Sequence, residues 1–180
     1  MEANEARELQ EQQEAAVENH LKPVSFSMAV LAVLVAIVTV MGHRTHTEAV
    51  LLQAKASDRW NLYQAKKIRQ NDTLLATDLL SALELRDPLV GKKLTDGYNA
   101  HEEKWSEDLK EEQGEAEGLE AEVKLAERKA DRFDLGEALL EIGLVVSSIT
   151  LLTRLRAYWY MGLVFGTAGV IVALFAFLVR

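Results

Sequence analysis

The sequence predicts an all-α integral membrane protein, with three transmembrane helices and a long helical-hairpin, coiled-coil stalk between spans one and two. Three observations predict it. The apolar residues gather into three blocks, 24–42, 134–153 and 158–180, each of a length that crosses a hydrocarbon layer of about 30 Å. Between the first two blocks, hydrophobic residues recur at steps of three and four, the helical period. Only two prolines stand in 180 residues rich in Ala, Leu, Glu, Lys and Gln, so few points interrupt a helix.

Residues 1–23 form an acidic N-terminal helical arm of Glu, Gln and Ala, with Leu9, Ala16, Val17 and Leu21 as a thin apolar stripe. It reads as a solvated leader in preference to an interaction arm, and Pro23 is expected to end or kink it. Residues 24–42 are the first span. An acidic flank, an apolar run longer than a signal-peptide core and the lack of a small-x-small cleavage site make it a retained anchor. Ala29, Ala32 and Ala36 lie close to one of its faces and would let another helix approach.

Residues 43–133 are the stalk. Leu52, Ala56, Trp60 and Tyr63, then Leu75, Leu79 and Leu83, mark the first arm. Asp87-Pro88 and Gly91 punctuate it, with Gly97 a little further on. In the second arm Leu94, Tyr98, His101, Trp105 and Leu109, then Ala116, Leu119, Val123, Ala126, Ala130 and Phe133, follow a heptad seam with a local stutter. Glu112, Gly114 and Gly118 weaken its middle and are expected to make this arm the more mobile. Two arms of about 40 residues make a hairpin roughly 60 Å long. Its expected core is Trp60, Tyr63, Tyr98 and Trp105, which two helices cover only in part. Residues 134–153 form the second span, 154–157 a short basic loop, and 158–180 the third span, entered by an aromatic belt of Tyr158, Trp159 and Tyr160.

A net charge of −8 argues against nucleic acid as a partner, since phosphate binding needs a basic patch. No cysteine is present, which excludes disulfides, thiolate metal sites and a thiol nucleophile. Phosphate-binding glycine loops, Gly-x-Ser-x-Gly elbows and His-Glu-x-x-His helices are missing as well. The expectation is therefore a protein that is not an enzyme and needs no cofactor.

The run His43-Arg44-Thr45-His46-Thr47-Glu48-Ala49 leading into LLQAKASDRWNLYQAKKIRQ, the stretch FDLGEALLEIGLVVSSITLLTR, and the YWYMG opening of the last span occur in that order. Together they resemble an uncharacterised bacterial membrane-protein family, domain of unknown function 4337. The resemblance covers nearly the whole chain. It implies a small integral membrane protein with three spans and a helical middle, and it brings no activity, ligand or catalytic residue.

Glu137 and Glu141, four apart on one face of the second span, are the sharpest polar feature. Asp134 extends that face toward water and Ser148 toward the membrane interior. A carboxylate in a span needs a partner, a proton or water, at a cost of about 2.5–3.5 kcal/mol on insertion scales. A proton or cation relay is one reading. The other, which weighs more because both glutamates lie in the first third of the span, is a hydrogen bond to a Ser or Thr of another span. His43 and His46 share one helical turn beside Glu48 and form a weak candidate ligand pair for a metal or tetrapyrrole. A pH-sensitive contact of either with Glu137 is the alternative. No metal site is assigned. Gly162, Gly166, Gly169 and Ala173 form a small-residue stripe for close helix approach, within or between subunits.

Three spans put the termini on opposite sides. Lys124, Arg128, Lys129 and Arg132 before span two, set against Arg154 and Arg156 in the short loop, lean toward a cytoplasmic stalk, although the loop alone points the other way. The function expected is a membrane-anchored structural or interaction protein, a scaffold or accessory subunit of a membrane complex, that assembles with itself or with a larger complex. The alternative is a small oligomeric proton- or cation-conducting protein using Glu141 and Glu137.

Overall fold

A computed structural model describes residues 2–83 and 88–179, with side chains from residue 21 onward apart from Pro88 and Glu103. Helices α1 (Glu2–Ala82), α2 (Pro88–Thr153) and α3 (Arg156–Ala176) account for almost all of the described residues, and no strand occurs among them. All three are long and apolar enough to cross a membrane.

Pro23 lies inside α1 and does not end it. A proline removes one backbone donor and crowds the preceding turn, but α1 continues into a strongly apolar stretch, and Val24 is buried directly after it. The break in the middle of the chain falls near its expected place. Leu83 is a bend, Asp87 lies outside the described residues, and α2 opens on Pro88, whose fixed φ and missing N–H suit a first helical turn. Gly91 and Gly97 do not interrupt α2. The basic link is shorter than the expected 154–157: Arg154 takes a left-handed φ of 58°, Leu155 is extended, and α3 starts at Arg156.

The chain divides into two compact units. The first is Met1–Thr47 with Leu125–Arg180, the second Glu48–Lys124. The hairpin therefore ends short of the expected bounds of 43 and 133. Residues 43–47 and 125–133 belong to the unit that holds the apolar helices.

In the first unit, α2 and α3 meet backbone to backbone. A Cβ on Gly143 would lie 2.7 Å from the carbonyl oxygen of Gly162, and one on Gly169 would lie 2.7 Å from that of Gly136. Only glycine permits such an approach. Gly136, Leu140, Gly143 and Ser147 of α2 thus face Gly162, Gly166, Gly169 and Ala173 of α3, in steps of three and four on both helices. The first helix adds Val24, Leu31 and Val38 at heptad spacing, all buried, and a Leu31 methyl fills the room above Gly166. Phe133 and Phe177 meet edge to face at 5.5 Å. The large apolar side chains point outward instead: Val33, Val145 and Val164 are each about 60% exposed or more, with Phe26, Ile37, Ile171 and Phe175 on the same outer surface.

The second unit closes around small residues. Ala49, Ala56, Leu109, Ala116 and Val123 are buried, while the four aromatics expected to be its core are only half-buried. Trp60 packs edge-on against Tyr63, and His101 stacks on Trp105. Ala56 and Ala116 are almost wholly buried at the seam, and the half-buried aromatics flank it.

Candidate functional site

The polar residues of the first unit gather where α1 and α2 run past each other. Thr39 lies on the α1 face that borders α2, and its hydroxyl is 2.5 Å from Oε1 of Glu137 and 2.9 Å from the Val35 carbonyl of its own helix. Two turns on, His46 Nε2 is 2.9 Å from one carboxylate oxygen of Asp134 and 3.2 Å from the other, an ion pair whenever the ring is protonated. Gly42 lies between these contacts. A Cβ there would touch Asp134 Oδ1 at 3.4 Å.

The expected polar face of α2 is therefore divided rather than continuous. Asp134 belongs to His46 and Glu137 to Thr39. Ser148, exposed, donates to the Val145 carbonyl of its own helix at 2.6 Å. Glu141 is exposed and has no partner among the described residues. The contact considered between a histidine and Glu137 is made by His46 with Asp134 instead, because Glu137 is one turn further along α2. His43 is exposed and makes no side-chain hydrogen bond or ion pair among the described residues. Among the described residues no group of three or more His, Cys, Asp or Glu side chains is placed to hold a metal ion.

The stripe of Gly162, Gly166, Gly169 and Ala173 is buried within the chain, against α2 and Leu31. At the far end of this unit the Trp159 indole donates to Ser27 Oγ at 2.8 Å. Ser147 and Thr150 are buried with hydroxyls that find no partner among the described residues. Sequence reasoning did not single out Thr39, Ser27, Ser147 or Thr150. Trp159 was read as a belt residue, and nothing local to it shows that its N–H reaches a serine 132 positions away.

The second unit has its own polar centre, at a residue expected to weaken the seam. Glu112 is almost fully buried between the two arms. It accepts from Lys66 Nζ at 2.7 Å and Arg59 Nη1 at 3.1 Å. Arg59 also reaches Glu115 at 2.9 Å, Lys66 approaches Asp108 at 4.0 Å, and the Trp60 indole donates to Glu120 at 2.8 Å. The Lys66 hydrogen bond and charge, then the Arg59 hydrogen bond and charge, hold the Glu112 carboxyl below its ordinary value of 4.5. In return the Glu112 hydrogen bond, with the charges of Glu112, Asp108 and Glu111, holds Lys66 above 10.5. Neither centre pairs an activated nucleophile with a base. Both join helices.

The chain belongs to the family described as Domain of unknown function (DUF4337), which it matches over residues 20–179. No curated protein and no solved structure matches it.

Proposed function

We propose that this chain is a membrane-anchored structural or interaction protein, a scaffold or accessory subunit that holds a helical hairpin beside a bilayer. One observation carries this reading. In the first unit glycine, alanine and serine make the contact between α2 and α3, a narrow core of Leu31, Val38, Phe133 and Leu140 joins it, and many valine, isoleucine and phenylalanine side chains are exposed. In water an exposed apolar surface of that extent would have to be covered. In lipid it is the expected surface, and small residues are what bring helices together. The polar groups of both units also support it, since Glu137, Asp134 and Glu112 are engaged in helix-to-helix contacts.

On this reading the three helices cross the inner membrane. The basic residues Lys124, Arg128, Lys129 and Arg132, set against Arg154 and Arg156, lean toward a hairpin on the cytoplasmic side. The hairpin, with half-buried aromatics and exposed leucines such as Leu75, Leu79 and Leu83, is the element available to partners. Two assays test the proposal on one preparation. The protein should stay with membranes through a carbonate wash, and reconstituted liposomes should show no proton or cation flux above empty vesicles. Release by carbonate would end the anchor reading. A flux abolished by Glu141→Gln would end the scaffold reading in favour of conduction.

A further inference from the structure

One face of the hairpin carries an open groove of about 670 Å³. Lys55, Asp58, Arg59 and Leu62 line it from α1, and Glu115, Gly118, Leu119 and Glu122 from α2. Nothing lies within 4 Å of where a Cβ on Gly118 would sit. Leu62 is 39% exposed and Leu119 half-buried, so the groove has an apolar floor and charged edges.

Those edges are of opposite sign. On α1, Lys55, Arg59, Leu62, Lys66 and Arg69 follow one another at steps of four, three, four and three, a single helical stripe with four cations in five positions. On α2, Asp108, Glu111, Glu115, Gly118 and Glu122 follow at steps of three, four, three and four, with four carboxylates in five positions. The asymmetry extends beyond the stripes. Residues 55–69 hold five basic residues and one acid, Asp58, whereas residues 102–122 hold ten acids and two lysines. Pairing inside the hairpin uses Arg59, Lys66, Asp108, Glu112 and Glu115. Lys55, Arg69, Glu111 and Glu122 form no ion pair among the described residues and are exposed.

We propose that the occupant of this groove is the same face of a second copy of the chain, related by a two-fold axis running along the hairpin. This deepens, and rests on, the reading of the hairpin as an interaction element. Charge selects the geometry. Rotation about the long axis lays the basic stripe of each α1 over the acidic stripe of the partner's α2, and the result is a four-helix bundle. Rotation about the perpendicular in-plane axis would lay α1 on α1 and α2 on α2, like charge on like. The favoured rotation keeps every residue at its own level along the hairpin. Lys55 and Glu122 line the same stretch of groove, so Lys55 of each copy meets Glu122 of the other. Arg69, one turn beyond Lys66, comes within about a turn of Asp108, which borders Lys66. Leu62 and Leu119 supply the apolar centre. The open ends of both hairpins then lie at the same end, as two copies inserted in one membrane with one topology require. Rim charges of this kind set register and partner more than affinity.

A charge swap in the full-length chain tests the arrangement, in detergent and in lipid nanodiscs, with mass photometry as the readout. The wild type should be dimeric. Lys55→Glu with Arg69→Glu should shift the chain to monomer, and so should Glu111→Lys with Glu122→Lys. An equimolar mixture of the two variants should form heterodimers, because both halves of the interface regain opposite charges, and this shows that neither variant is misfolded. Because the chain has no cysteine, Lys55→Cys chains mixed with Glu122→Cys chains should form a disulfide between copies more readily than Lys55→Cys chains do with themselves. A monomeric wild type, variants that dimerise like the wild type, or preferential Lys55→Cys self-linking would each overturn the proposal. None of these results would bear on the carbonate and flux assays, so failure here and failure of the scaffold reading are told apart.

Discussion

The three-helix unit and the hairpin both bury small residues between antiparallel helices, yet they complete those seams by different means. Between α2 and α3 the seam is glycine against glycine, with carbonyl oxygens 2.6–2.7 Å from where a Cβ would stand. In the hairpin Gly97, Gly114 and Gly118 have nothing within 4 Å, and the centre of the seam is Glu112 bound by two cations. The difference follows from the surroundings each seam fits. Where outward residues are large and apolar, close backbone contact is the main attraction available. Where outward residues are charged, long side chains can bridge the helices and still reach water.

The largest expected effect breaks the first seam. Gly143→Leu cannot be accommodated without parting α2 from α3, so overpacking should cost about 1–3 kcal/mol or more. Denaturant titration in detergent, followed by near-ultraviolet dichroism, should show the loss. Next comes Thr39→Val, which leaves the half-buried Glu137 without its donor and should cost about 1–2 kcal/mol in the same assay. The third change sharpens the contrast, because adding the same kind of bulk in the hairpin should have the opposite sign. Gly114→Ala meets no neighbour and gains helix propensity, so the hairpin should be stabilised by up to about 1 kcal/mol, measured as slower amide exchange.

The smallest effect depends on pH. The Glu112 carboxyl is held below 4.5 in the folded hairpin, so its contribution is complete above that value and is lost as pH falls through the lowered one. Lys66 is held above 10.5, so its contribution is complete below that value and is lost as pH rises through the raised one. The protection of hairpin amides, taken relative to the intrinsic exchange rate at each pH, should therefore fall on acidification below about pH 4.5. Glu112→Gln should remove that component and leave the glycine seam unchanged.

Much of this was legible in the chain. The three apolar runs, the near-total helicity and the break before Pro88 follow from local composition and period. The glycine stripe on α3 was visible too, but its partner was not, because Gly136 and Gly143 acquire meaning only once α2 and α3 are aligned. Thr39 and Glu137 stand 98 positions apart, and no local pattern sets the register that joins them. Glu112 was misread for a related reason. A charge at a seam position looks like a flaw until Arg59 and Lys66, on the other arm, are seen to reach it. Pro23 was weighed by its missing donor alone, and α1 continues through it.

The most direct test of the exposed apolar surface of the first unit uses the cysteine-free background to place single spin labels at Val33, Val145 and Val164, with Ile68 and Gly114 as hairpin references, in liposomes. We expect the first three to be relaxed by oxygen and shielded from a water-soluble nickel reagent, and the two hairpin positions to show the reverse. Nickel access at Val33, Val145 and Val164 equal to that at Gly114 would contradict a lipid-facing surface and, with it, the membrane-anchored reading.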